Sequence, residues 1–487
     1  MAEQEETLAF LSRQAERVIS THISHVFLGG GTAYKIKRAV RFPYLDYTSL
    51  AARKIFCERE LALNRRTAPG LYRRVRTLTR AADGGLEWDG AGAPVEYVLE
   101  MSRFPDEALL GAAAARGPVD RGVLRDLADT IAGFHAKAET ATGAGLEKVI
   151  EGNAERLSAA CPPLDAAVVA ELNDASRAAH ARLAPLLARR AAAGRVRRCH
   201  GDLHLDNIVL LEGRPVLFDC IEFSDEFACI DVLYDLAFLL MDLLRREDAG
   251  GAALVANRYM DVSGDEDGLA ALPLFISARA AIRAHVCAAQ GKAAVAGAYL
   301  ALAARALRPA SPRLVAVGGF SGSGKSTLAA RLAPRFSPPP GARVLRSDVL
   351  RKRLAGVTPE TRLPARAYTP AGSARVYAEL LRLGEAGLRA GFTIILDAAF
   401  LRAAERGPAI ALAARLGLPF DGFWLDAPDE VLAARLAARR RDASDAGVEV
   451  LRAQRDFAEP PATWPPGEAA LELFPGAADG APPHLSG

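Results

Sequence analysis

The sequence predicts two unlike halves: an α+β half to about residue 307, and an α/β half on a parallel sheet after it. Three observations carry this. The chain has 487 residues, too many for one hydrophobic core, so two or three domains are expected. Around residue 200 a polar loop lies beside two short apolar strands, with long helical stretches on either side. After residue 313, apolar strands at 314–317, 344–345, 394–397 and 423–425 alternate with helical segments, the pattern of a parallel sheet with crossover helices.

Composition narrows the class. Hydrophobic residues make up 50% of the chain and charged ones 24%, which is globular rather than disordered. The abundance of arginine and alanine suggests coding bias more than function. A formal net charge of +3 is small for this length and signals neither nucleic acid nor a membrane surface. The six cysteines, Cys57, Cys161, Cys199, Cys220, Cys229 and Cys287, form no Cys-x-x-Cys pair and read as reduced, mostly buried thiols. The N-terminus is acidic and has no apolar signal core, and no run reaches the ~20 apolar residues that span a bilayer. A soluble, cytoplasmic protein is expected.

In chain order, residues 7–19 carry a helical apolar period through Leu8, Leu11, Ala15 and Val18. Strands at 22–28 and 33–37 flank Gly29-Gly30-Gly31, a hairpin whose glycines serve either as a plain turn or as a cover over phosphates. A helix over 48–64 contains Glu58 and Glu60, about 200° apart, so only one can face a given partner. A strand at 95–101 runs into Ser102-Arg103-Phe104-Pro105. The amphipathic helix over 119–137 includes His135, read as a packing residue. An alanine-rich helical stretch over 154–193 breaks at Cys161-Pro162-Pro163.

The basic run Arg195-Val196-Arg197-Arg198 leads into His200-Gly201-Asp202-Leu203-His204-Leu205-Asp206-Asn207. A strand at 208–211, a turn at Glu212-Gly213 and a strand at 215–218 follow, ending in Asp219. His-x-Asp-x-x-x-x-Asn with an Asp after the hairpin supplies what phosphoryl transfer needs: a carboxylate to orient the hydroxyl and take its proton, and two oxygen donors for Mg²⁺ on ATP. Asp202 suits the base, with His200 beside it as a second catalytic candidate; Asn207 and Asp219 suit the metal. The stretch resembles the catalytic loop of the aminoglycoside phosphotransferase family, small-molecule relatives of protein kinases, and the likeness spans about 20–305.

That resemblance implies a two-lobed, protein-kinase-like fold. Ala33-Tyr34-Lys35 matches the strand lysine that meets the α- and β-phosphates. Lys37, on the same strand face, is the alternative. Glu60 is favoured over Glu58 as the lysine's partner. The segment after 95–101 matches the hinge, where backbone holds adenine. Asp231 and Asp235 match carboxylates that steady the loop. The first lobe shows fewer obvious strands than a full kinase lobe.

Residues 308–312 read as a linker. The next strand runs into Gly319-Phe320-Ser321-Gly322-Ser323-Gly324-Lys325-Ser326-Thr327 and a helix. This is Gly-x-x-x-x-Gly-Lys-Ser, the P-loop, in its strand–loop–helix context. Gly319, Gly322, Ser323 and Gly324 shape a backbone cradle for phosphate, backed by the helix N-terminus with Thr327 in its first turn. Lys325 reaches the β- and γ-phosphates and Ser326 ligates Mg²⁺. This half resembles P-loop kinases of the polynucleotide kinase, zeta-toxin and gluconate kinase group. The likeness implies that Asp348 activates the acceptor hydroxyl, that Arg351 lies near the acceptor, and that a helix over 429–441 bearing Arg435, Arg439, Arg440 and Arg441 forms a lid. A solvated basic face is the alternative for that helix. Asp397 either supports Mg²⁺ through water or only ends a strand. The Pro/Gly-rich tail over 461–487 is expected to be partly disordered.

The domains so drawn are 1–307, 308–460 and the tail. The function expected is a bifunctional phosphotransferase carrying the γ-phosphoryl of Mg·ATP to hydroxyls of small molecules, with nucleic acid not expected. Two alternatives stand beside it. One is a nucleotide-binding regulatory module coupled to a P-loop ATPase switch; the other is a toxin-like P-loop kinase restrained by its N-terminal half.

Overall fold

The computed structural model describes residues 2–461, apart from 144, 440 and 441, together with Trp464. The expected tail and the pair Arg440-Arg441 therefore lie outside the described residues. The chain splits into two compact units, Met1–Lys148 with Ala188–Asp242, and Val149–Leu187 with Leu243–Gly487.

The first unit opens with an antiparallel sheet. Among the described residues it has six strands, in the order Arg17–Ser20, Ser24–Gly29, Thr32–Lys37, Pro94–Ser102, Tyr72–Arg80, Leu86–Trp88. This is more than the sequence suggested, because Arg73, Arg74 and Arg76 obscure the alternation of the strand Tyr72–Arg80. The helix expected over 7–19 ends at Ser12. Residues 17–20 pair instead with Leu28 to His25, so ladder formation overrides the helical period. The hairpin is as expected, with Gly29 opposite Thr32 and Gly30 at φ +54°. Gly29 is required for space, since a Cβ there would lie 2.2 Å from the Gln14 carbonyl oxygen.

The helix Leu50–Asn64 packs Leu61 against Leu71, Tyr72 and Leu99. The same unit also holds the helix Arg121–Lys137, the hairpin Ile208–Leu211 with Arg214–Leu217, the pair Val196–Arg198 with Cys229–Asp231, and most of the helix Val232–Arg245. Val209 is fully buried in the cluster of Leu99 and Met101, with Phe104 and Phe218 packed against it. The hairpin that follows the polar loop is thus anchored in the sheet's core. The cysteines are free, and all but Cys161 are buried.

The second unit holds a parallel sheet in the order Arg343–Arg346, Ile394–Asp397, Leu314–Gly319, Phe420–Leu425. All its pairings are parallel, with Val317 opposite Asp397 and Gly319 opposite Leu425. Ala253, from the helix Ala249–Ser263, packs with Val315, Val317, Leu328 and Ile395. Compactness therefore groups the helices from Ala249 to Ala306 with this sheet. Polar contacts repeat the grouping. Arg343, 3% exposed, pairs with Asp261 and Glu266 at 2.7 Å each and donates to Asn257 Oδ1 at 3.0 Å. The stretch Glu266–Ala289 corrects the expectation that no run is long and apolar enough to cross a membrane. Its apolar window is 72% buried inside the protein, where it serves as a core helix.

Candidate active sites

The first site forms where the sheet, the helix Leu50–Asn64 and the polar loop meet. Lys35 and Lys37 lie two apart on one strand, so both project to one side. Lys35 Nζ pairs with Glu60 Oε1 and with Asp219 Oδ1, each at 2.7 Å. Lys37 Nζ pairs with Glu60 Oε2 at 2.5 Å and with Glu222. The two lysines are thus not alternatives for Glu60, which spends one oxygen on each. Only Lys35 also reaches Asp219. Glu58 points away and pairs with Lys54 in solvent. Burial works against the charge on Lys35, yet Asp219 and then Glu60 hold its pKa well above the ordinary lysine value. Burial likewise opposes ionisation of Glu60, and the two lysines outweigh it, holding its carboxyl well below its usual range.

The loop is fastened from behind. Asp235 accepts from the backbone N–H groups of His200 at 3.0 Å and Gly201 at 2.8 Å, and lies 3.1 Å from His135 Nε2. Asp231 is held by both arms of Arg190, at 2.7 and 2.8 Å. Asp242 accepts from the Leu205 N–H at 3.1 Å. Gly201 sits at φ +84°, a turn that suits glycine. Asn207 Nδ2 donates to the Asp202 carbonyl and to Asp202 Oδ2, both at 2.9 Å, so base and metal candidates are tied together. Asp219 stands at φ +60°, its N–H donating to the Tyr72 hydroxyl at 3.1 Å.

His200, a catalytic candidate of the sequence reading, is placed behind the loop rather than at its surface. It is fully buried, and its Nε2 lies 2.9 Å from the Phe218 carbonyl oxygen. Burial pushes its pKa down. It joins the loop to the hairpin end that carries Asp219. Burial also pushes the Cys220 thiol up to about 12, which suits a filler.

The second site lies at the carboxyl ends of the parallel strands. A cavity of about 1200 Å³ is lined there by the phosphate loop, Asp348, Arg351, Asp397, Arg435 and Arg439 among others. Three loop glycines, Gly319, Gly322 and Gly324, take φ of +132°, +85° and +98°. A Cβ on Gly319 would fall 2.0 Å from the Leu425 carbonyl oxygen. Lys325 opens the helix Lys325–Leu332, and its Nζ donates to the carbonyls of Gly319 and Phe320 at 2.9 and 2.8 Å. Burial lowers its pKa. Thr327 follows in the first turn and lines the cavity. Ser326 Oγ donates to Asp397 Oδ2 at 2.6 Å, bringing the two metal-related residues into contact. Burial raises the pKa of Asp348, against the pull of Arg346. Arg351 is held by the Ala367 carbonyl at 3.0 Å and Ser373 Oγ at 3.2 Å, with its guanidinium over Tyr368. The basic helix ends at Ala438, earlier than expected, and Arg439 is an extended cap lying 3.4 Å from Asp442.

Several contributors escaped the sequence. Glu222, Tyr72 and Tyr47 meet the lysine cluster only through folding. Arg346, which pairs with Asp397 at 3.2 Å and Asp442 at 2.8 Å, closes a strand two residues before Asp348 and was legible by position. Gln454, which accepts from the Ser321 N–H at 2.9 Å, gave no signal.

A family model described as the phosphotransferase enzyme family matches residues 49–272, and one described as an AAA domain matches residues 314–461. The Mycobacterium tuberculosis H37Rv protein "Uncharacterized protein Rv2004c" and the Mycobacterium bovis protein "Uncharacterized protein Mb2027c" are each 33% identical over 456 residues, covering 90% of this chain and 89% of theirs. Among solved structures, a choline kinase from Cryptosporidium parvum Iowa II is 10% identical, with a TM-score of 0.41, covering 62% of this chain and 95% of its own. The GDP complex of aminoglycoside 2'-phosphotransferase-IIIa is 14% identical, with a TM-score of 0.38, covering 63% and 97%. The chain belongs to the family of these mycobacterial proteins, as a phosphotransferase enzyme that joins a phosphotransferase-family domain to a P-loop kinase-like domain.

Proposed function

We propose that the chain carries two Mg·ATP-dependent phosphotransferase sites, each passing a γ-phosphoryl group to a hydroxyl of a small molecule. The observation that carries the reading is the first site's convergence: Asn207 tied to Asp202 at 2.9 Å, and Lys35 tied to Asp219 at 2.7 Å. A base candidate, two oxygen donors for a metal and a phosphate-binding cation thus belong to one folded unit.

The donor set fits a hard divalent cation. Asp219 is a carboxylate 41% exposed, and Asn207 spends its Nδ2 on Asp202, which leaves its Oδ1 as the donor. Mg²⁺ bound there would neutralise charge on the phosphates. Lys35 would hold phosphate oxygens, Glu60 would aim Lys35, and Asp202 would orient the acceptor hydroxyl and take its proton. In the second site the loop amides and Lys325 would cradle phosphate, Ser326 with Asp397 behind it would take the cation, and Asp348 would receive the acceptor's proton. The raised pKa of Asp348 makes it a stronger base than an ordinary carboxylate.

The test is a metabolite extract incubated with γ-labelled ATP. Two sets of labelled products are expected, one lost in Asp202→Asn and the other in Lys325→Ala. Calorimetric titration with a non-hydrolysable ATP analogue should give two sites per chain, and one in Lys325→Ala. ATP hydrolysis with no labelled metabolite would favour the regulatory switch instead.

A further inference from the structure

We propose that Glu222 is a positioning residue of the first site, acting as the second counter-charge of the buried lysine pair so that Asp219 is left available to the cation. The inference rests on the reading of Asp219 as a metal ligand given above.

The argument is one of charge in a closed space. Lys37 is 1% exposed, Glu60 0% and Glu222 5%, whereas Asp219 is 41% exposed. Lys37 Nζ meets Glu60 Oε2 and Glu222 Oε1, and the Tyr47 hydroxyl donates to the same Glu222 oxygen at 2.9 Å, fixing that carboxylate in place. The Tyr47 ring lies 5.5 Å from Lys37 Nζ. Lys35 and Asp219 complete the cluster; Arg59, which also feels the charge of Glu222, spends its guanidinium on Asp225. Two ammonium groups therefore face three carboxylates. Glu60 and Glu222 already balance Lys35 and Lys37, so the surplus negative charge is Asp219, the one carboxylate that solvent and a cation can reach.

Removing the charge of Glu222 changes that balance. A buried ammonium must keep a counter-ion. With Glu60 alone shared between two lysines, Asp219 becomes the needed second carboxylate, and a cation must compete with Lys35 for it. A residue with only a structural part to play would change stability and leave the cation requirement where it was.

The experiment uses the full chain carrying Lys325→Ala, which silences the second nucleotide site. A non-hydrolysable ATP analogue is titrated by calorimetry over a series of Mg²⁺ concentrations, and the Mg²⁺ midpoint for binding is read. Glu222→Gln should raise the midpoint by roughly tenfold. Lys37→Met, which leaves surplus negative charge, should lower it. The double variant Lys37→Met/Glu222→Gln, with the parent's net charge restored, should return to the parent value. An unmoved midpoint in Glu222→Gln, or an upward shift in Lys37→Met, would overturn the proposal. Should Glu222→Gln fail to fold, the downward shift of Lys37→Met and the parent-like double variant decide the matter alone. Absence of Mg²⁺-dependent binding in the Lys325→Ala parent would instead overturn the reading of the site itself, an outcome distinct from binding with a fixed midpoint.

Discussion

At the residue scale, the first site is a set of side chains held by other side chains. Asp202 is tied by Asn207, and Lys35 by Glu60 and Asp219. An Asn at 202 keeps the shape and one acceptor oxygen but cannot take a proton. Asp202→Asn is therefore expected to lower transfer to the first site's acceptor by ~10²–10⁴-fold. The melting temperature should stay within a degree or two of the wild type. Rate assays on the identified acceptor, beside a thermal melt, check both halves of this. Near wild-type turnover would remove Asp202 from the role.

At the element scale, the helix Leu50–Asn64 delivers Glu60 to both lysines, and its start is set by Ser49, whose hydroxyl accepts from the Ala52 N–H at 3.1 Å. Ser49→Ala should cost about 1 kcal/mol, read from chemical denaturation. A second element carries a pH effect. In the helix Leu272–Ala289, burial and then Arg156 push the pKa of His285 down to about 4. Its Nε2 is buried without a hydrogen-bond partner. The unfolded chain takes up that proton near the ordinary value of about 6.5, before the folded one does. Stability from this group is thus complete above about 6.5 and is lost as pH falls toward the folded value. His285→Leu should flatten that limb in melting temperatures recorded across it. A limb of unchanged slope would assign the acid sensitivity elsewhere.

At the scale of the whole molecule, the parallel sheet packs with helices that precede the linker, so its compact unit is larger than the segment 308–460. Arg343, at the amino end of the strand whose other end meets the cavity, is held by Asp261, Glu266 and Asn257 from the segment that precedes residue 308. A fragment of residues 306–487 would lose these partners and also Ala253, which packs on Val315, Val317, Leu328 and Ile395, exposing apolar surface of the sheet to water. That fragment should melt well below a fragment of residues 243–487, which keeps the helices that pack on the sheet, as followed by circular dichroism. Equal melting temperatures would show that the preceding helices are dispensable. A growth assay for a toxin-like kinase accordingly needs the longer fragment.

What the sequence determined by itself is what short spacing encodes. The order Asp202, Asn207, Asp219 and the run Gly319 to Ser326 are local: a loop of fixed length and a strand–loop–helix step place their atoms before anything else packs. The shared face of Lys35 and Lys37 is equally local, set by strand alternation. Tertiary structure decided the rest, because the partners come from far along the chain. Glu60 serving both lysines, Glu222 meeting Lys37 across 185 positions, and Tyr72 holding Asp219 across 147 have no periodic signature. The end of the first helix at Ser12 and the grouping of residues 249–306 with the parallel sheet are of the same kind. There, hairpin pairing with the neighbouring strand Ser24–Gly29 and burial of Arg343 outweigh what the helical period favours.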